Sequence, residues 1–164
     1  MAVTIQTDGL DALGQMLNAL GERAPAAASA GLYKGAGVVA DAFTQATGKI
    51  VSEPFHYLAR PDLTGTKRYA SPEEKAALVG KTGIAKFNKS PDAVDTLVGL
   101  QDAGYANVAG KQKAVALIAR SINSGTSFMH KQPVYRKAGS SSKNAAEQAI
   151  VAEIERQLNE ITKG

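Results

Sequence analysis

Cysteine is absent from this 164-residue chain. Disulfide scaffolds, thiolate metal sites and thiol redox chemistry are therefore excluded. Histidine is scarce: His56 and His130 are the only two. Neither has a second His at ligand spacing, so a zinc site of three or four ligands cannot be assembled around them. Aromatic residues make up only 5% of the chain. No stretch approaches the roughly 20 apolar residues needed to span a bilayer. The opening residues Met1–Asp8 lack the basic head and apolar run of a signal peptide. The expectation is a chain made and kept in the cytoplasm unless it leaves inside a larger particle, with no membrane partner.

Charge of one sign is also in short supply. Nineteen Lys and Arg against 15 Asp and Glu leave a net charge of +4. The cations are spread along the chain, with a modest cluster at Lys131, Arg136, Lys137 and Lys143. A nucleic-acid binder ordinarily gathers them on one face, so a solvated surface with local bias is the reading preferred. What is abundant is Ala and Gly. Small residues let helices approach closely but bury little apolar area each, which suits a domain that gains stability from copies of itself.

The length predicts one domain, 1–164, able to bury a core unaided. Val3 and Ile5 alternate with Thr4 and Gln6, which predicts a strand over Ala2–Thr7. Leu10, Leu13, Leu17 and Leu20 then recur at helical spacing, and Gly21 is a natural stop. A second, long helix is expected from Pro25 to about Thr47, with Leu32, Gly35, Ala36, Val39 and Phe43 on one face. The glycines there imply close contact with another helix, in the same subunit or in a neighbour. Residues 48–70 read as an extended irregular loop with Pro54, Pro61, Gly65, Phe55, His56, Tyr57 and Tyr69.

Ser71-Pro72-Glu73-Glu74 is a strong helix start, with Ser as N-cap and an acid three residues on. That helix is short and ends at Gly80. Gly83–Phe87 and Val94–Leu100 predict an antiparallel hairpin around Asn88-Lys89-Ser90-Pro91-Asp92. Gln101–Lys113 reads as a polar, Gly-containing loop. Ala114–Ser124 fits helix or strand, and its Ala content and terminal Asn-Ser-Gly favour a short helix. The last element is an amphipathic helix entered through Pro133, with Ala146, Ile150, Ile154, Leu158 and Ile161 as its stripe. Glu153 with Arg156, and Lys143 with Glu147, stand at ion-pair spacing. The fold class expected is α+β: a small antiparallel sheet packed against a long helix of the N-terminal half and a C-terminal amphipathic helix.

Motifs for catalysis are not found. Gly80-Lys81-Thr82 lacks the upstream glycine and strand of a phosphate-binding loop. No Gly-x-Ser-x-Gly elbow occurs, and Asp92, Asp95 and Asp102 are ordinary turn carboxylates. The residues give no argument for an enzyme or for a cofactor.

Several short motifs nevertheless fall in a telling order: Gly9-Leu10-Asp11-Ala12-Leu13, the Ala-rich second helix, Leu63-Thr64-Gly65-Thr66, Gly83-Ile84-Ala85-Lys86, Thr96-Leu97-Val98-Gly99, the loop aromatic Tyr105, then Gly125-Thr126-Ser127 and Gln132-Pro133 before a terminal helix. This order resembles the small neck proteins of long-tailed phages, the tail-completion or head–tail joining family of HK-type lambdoid phages. The chain departs from the family in having Asn123-Ser124 before Gly-Thr, Val134-Tyr135 after the proline, and a longer 48–70 stretch.

The resemblance implies a virion structural protein without enzymatic activity. It would form a homo-oligomeric ring between head connector or stopper protein and tail tube or terminator protein. Leu32, Gly35, Val39, Phe43, Lys86 and Phe87 are then candidates for the subunit interface. Phe55, Tyr57, Tyr69, Phe128 and Met129 are candidates for contacts with adjoining rings. Lys111, Lys113, Lys131 and Arg136 are candidates for lining a passage for genomic DNA, or are ordinary surface cations. The alternative reading is a small basic nucleic-acid-binding protein.

Overall fold

The computed structural model describes residues 8–53, 67–89, 94–101 and 104–163. The strand expected at Ala2–Thr7, the Leu63–Thr66 element, Phe55, His56 and Tyr57 lie outside the described residues. The fold is α+β. Two long helices, α1 (Asp8–Gly48) and α4 (Val134–Lys163), enclose in sequence two short ones, α2 (Pro72–Ala76) and α3 (Val115–Ser124). Between them, among the described residues, lie the short strands β1 (Thr82–Ile84), β2 (Asn88–Lys89), β3 (Val94–Asp95), β4 (Val98–Leu100), β5 (Tyr105–Val108) and β6 (Lys111–Ala114).

Helix α1 corrects the expectation of a break. It runs through both Gly21 and Pro25 as one helix. A proline in a helix interior removes one main-chain bond and crowds the carbonyl four residues back. Here that carbonyl belongs to Gly21, which is exposed with open space around it, so water can satisfy it. Ser29 Oγ donates to the Pro25 carbonyl at 2.8 Å. From Ala27 onward the helix is held by packing, which contributes more to helical stability than propensity does.

That packing is against α4, antiparallel. Gly31 faces Ile154, Gly35 faces Ile150 and Ala146, and Phe43 faces Gly139 and Tyr135. A Cβ on Gly35 would stand 2.5 Å from Ile150 Cγ1, so only glycine allows this approach. The tyrosine and phenylalanine rings lie 5.6 Å apart, and Thr47 Oγ1 and Tyr135 OH share a hydrogen bond of 2.9 Å.

The expected hairpin forms in two stretches. Strand β1 pairs antiparallel with β4 and β2 with β3, around residues 90–93, which lie outside the described set. It packs on α1, whereas α4 packs on α1 and α3. A second hairpin, β5–β6, occupies what composition marked as a loop. Its turn is Ala109-Gly110, both at positive φ (51° and 74°), the conformation of a two-residue hairpin turn. The signal is faint because an alanine stands where Asn or Gly is usual. The Ala109 N–H is held by the Glu73 carboxylate at 2.6 Å.

Helices α2 and α3 form as expected. Ser71 Oγ accepts from Glu74 N–H, the Glu74 carboxylate accepts from Ser71 N–H, and Pro72 opens the helix. Gly80, at φ 71°, closes the turn after α2, and Gly125, at φ 74°, closes α3. The main core is Ile50, Leu78, Val108, Val115, Ile118, Ile122 and Met129, with Ala70 and Ala119. It is thus built from the smaller elements and lies beside the α1–α4 seam.

Candidate functional site

Three structural features could carry function: a charged hub at Glu74, the joint formed by the closing motif, and the apolar side chains left exposed. The hub comes first in the chain. Arg68 grips Glu74 through two bonds of 2.7 and 2.8 Å, and Lys113 reaches it at 3.1 Å. The Glu74 side chain is only 3% exposed. Burial alone would push its pKa up, but the bonds from Arg68, the Ser71 N–H and Lys113 outweigh that and hold it at about 2. A carboxylate so committed is a structural anion, unsuited to general base work near neutrality.

The closing motif forms the joint. Gly125 approaches the Lys131 backbone, where an added Cβ would stand 3.0 Å from Lys131 Cβ. Thr126 N–H donates to Met129 C=O at 3.1 Å, and Gln132 N–H to Ile122 C=O at 2.8 Å. The buried Gln132 side chain brackets one residue of the distant segment after α1. Its Oε1 accepts from Val51 N–H at 2.8 Å and its Nε2 donates to Val51 C=O at 3.0 Å. Lys75 Nζ then caps the end of α1, bonding the carbonyls of Gly48 and Ile50 at 2.9 and 2.8 Å. Next to the joint, Arg68 forms a parallel bridge with Met129. Tyr69 stacks on His130 with ring centroids 4.6 Å apart.

The sequence-derived candidates divide clearly on this frame. Gly35 and Phe43 are occupied inside the subunit, on Ile150 and Tyr135. The close approach of the α1 glycines, open to the same subunit or to a neighbour, is therefore intramolecular; Gly35 is buried under α4 and is corrected as an interface candidate, while Phe43 stays half-buried. Leu32 and Val39 are half-buried on α1. Lys86 is exposed, and Phe87 packs 6.2 Å from Tyr33. Phe55 and Tyr57 lie outside the described residues. Tyr69 and Phe128 are exposed, whereas Met129 is 2% exposed in the core and is corrected as a contact for another ring. Lys111, Lys131 and Arg136 are exposed, and Lys113 turns to Glu74. Two of these cations sit on β6 and two at the entry to α4, so the structure does not gather them on one element.

Leu97 and Tyr105, both part of the ordered motifs, stand out as exposed apolar surface groups, which their motifs do not indicate. They are 74% and 75% exposed. The available signal was the β-prone, uncharged composition of their strands. Burial raises the Tyr135 hydroxyl pKa, while its bond to Thr47 acts in the other direction. Among the described residues no three His, Asp or Glu side chains stand close enough to hold a metal ion, and no helix is long and apolar enough to cross a membrane. Comparison with known protein families, with curated proteins and with solved structures finds no match to this chain.

Proposed function

We propose that the protein is a structural component of a tailed-phage virion. Copies form a ring in the neck, complete or terminate the tail, and join it to the head through the connector or stopper protein on one side and the tail tube or terminator on the other. The observation that carries this reading is the closing motif, Gly125-Thr126-Ser127 to Gln132-Pro133, in its order after the other motifs. Its form here supports a scaffolding role, since Gln132 and Lys75 spend their polar atoms on fixing one chain segment to another. A ring needs a head-to-tail interface that closes, and the exposed Leu97, Tyr105, Leu117 and Val79 supply apolar surface for one.

The test is genetic and structural together. In a phage that encodes the protein, a nonsense allele should give DNA-filled heads and separate tails that fail to join, or tails of aberrant length, under the electron microscope. Joined, normal particles with a defect confined to replication or gene expression would remove the neck reading. The rival reading, a small basic nucleic-acid-binding protein, draws on one feature: exposed Phe128 and the Tyr69–His130 stack beside exposed Lys131. It requires the isolated chain to bind DNA with an affinity that falls steeply between low and moderate salt.

A further inference from the structure

The register of the two hairpins decides where their main-chain groups point. In β1–β4, Ala85 N–H donates to Leu97 C=O and Gln101 N–H to Lys81 C=O. Antiparallel alternation then turns the N–H and C=O of Val98 and Leu100 to the outer side of β4. In β5–β6, Val115 N–H donates to Gly104 C=O, and the turn closes on the pair Val108 and Lys111. The same alternation turns the N–H and C=O of Tyr105 and Asn107 outward from β5. Each ladder has two strands, and no third strand among the described residues adds to either.

The edges differ in chemistry. Strand β1 is flanked by Lys81 and Lys86, and β6 carries the exposed Lys111, its other lysine, Lys113, being paired with Glu74. Lysines on an edge strand oppose the addition of another strand. Strands β4 (Val98-Gly99-Leu100) and β5 (Tyr105-Ala106-Asn107-Val108) carry no charge. The two most exposed large apolar side chains among the described residues stand at these strands: Tyr105 opens β5, and Leu97 immediately precedes β4. One face of β4 is open as well: nothing lies within 4 Å of a Cβ placed on Gly99. An open depression of about 340 Å³ adjoins Gly99 and Leu100, with Phe43, Ala119, Arg120 and Tyr135 on its other sides.

We infer that copies of this chain associate edge to edge, β5 of one copy adding to β4 of the next. The inference rests on the ring reading and names its interface. Tyr105 and Asn107 of one copy bond Val98 and Leu100 of its neighbour through the main chain, giving a four-stranded sheet shared by two subunits. Two-stranded hairpins are marginal alone, and additional strands stabilise them. The two edges are different surfaces, so the contact is head-to-tail and propagates until it closes. The lysine-bearing edges β1 and β6 are left outermost and end the sheet.

The test uses the full chain. Asn107→Pro removes one outward N–H at an edge position where proline is tolerated, and Asn107→Lys charges the same edge without constraining the backbone. Leu97→Lys does so at β4. Gln112→Pro is the control, because Gln112 pairs with Asn107 and its N–H faces outward from the lysine-bearing edge. Assembly is read by light scattering on purified protein, by cross-linking in wild-type particles and in lysates of infected cells supplied with each variant, and by rescue of a null phage. Wild type and Gln112→Pro should give the same closed oligomer. The Asn107 and Leu97 variants should need at least a tenfold higher concentration to assemble and should fail to rescue, with circular dichroism and thermal midpoint unchanged. Should they assemble and rescue like wild type, the edges are not the interface although the ring stands. A wild-type chain that is monomeric both in solution and in particles removes the ring reading itself.

Discussion

At the scale of single residues, Glu74 holds the most. Its carboxylate caps α2 and neutralises Arg68 and Lys113 in a nearly dry setting. Its folded pKa of about 2 lies below the ordinary value of 4.5. A carboxylate with a depressed folded pKa stabilises the fold above its unfolded pKa and loses that contribution as pH falls through the folded one. The difference corresponds to about 3 kcal/mol at neutral pH. Glu74→Gln should therefore cost about 3 kcal/mol in urea unfolding at pH 7, and the gap to wild type should shrink between pH 5 and pH 2. A gap that stays constant over that range would show that the carboxylate's charge is not what matters. Half of this arrangement was readable in advance: Ser71-Pro72-Glu73-Glu74 announces its own capping box at fixed local spacing. Lys113 was not, because pairing between residues 39 apart along the chain leaves no local pattern, and Arg68, six residues before Glu74, lies outside the helix, where no periodic spacing links the two. Gln132 is similar. Its motif could be recognised, but its grip on Val51 depends on two segments 81 residues apart.

At the scale of elements, local signals did well where chemistry and packing agree. The β1–β4 pairing, the caps of α2 and α3, the stripe of α4 and its Glu153–Arg156 and Lys143–Glu147 pairs all follow from spacing. The failures are conflicts that packing resolved. Gly21 and Pro25 argue for a break, yet α1 continues because its later turns are held by α4. Polar composition argued for a loop at 101–113, yet a hairpin forms there because Glu73 supports an unusual Ala-Gly turn. The glycines of α1 show how position decides. Gly37→Ala meets open space and should stabilise by about 1 kcal/mol through helix propensity alone. Gly35→Ala gains the same propensity but drives a methyl into Ile150 and the Ala146 carbonyl. Overpacking of this kind costs about 1–3 kcal/mol, so the net change should be destabilising. Thermal unfolding of the two variants reads the contrast directly, and equal shifts would mean that the helices can separate locally without penalty.

At the scale of the whole molecule, the α+β class was apparent from two periodicities, while the division of labour between a helix seam and a separate small core was not. That division has a mechanical consequence. The two long helices are joined at one end by Tyr135 on Thr47, and the segments flanking them by Gln132 on Val51, while Lys75 of α2 holds the last carbonyl of α1. Farther along, Gly31 and Gly35 meet half-buried isoleucines, a contact of close packing. The pair is built like a zip with its stop at the joint, and it should open from the other end. Amide hydrogen exchange would then grade smoothly along both helices. Amides near Phe43–Thr47 and Ala138–Ser142 should wait for global unfolding, while those near Ala27–Gly31 and Ile154–Leu158 should exchange through cheaper, local openings. Uniform protection along the seam, or a gradient of the opposite sense, would rule this out. A molecule graded in this way has a stiff end, suited to bearing load, and a compliant end that can adjust to whatever it meets.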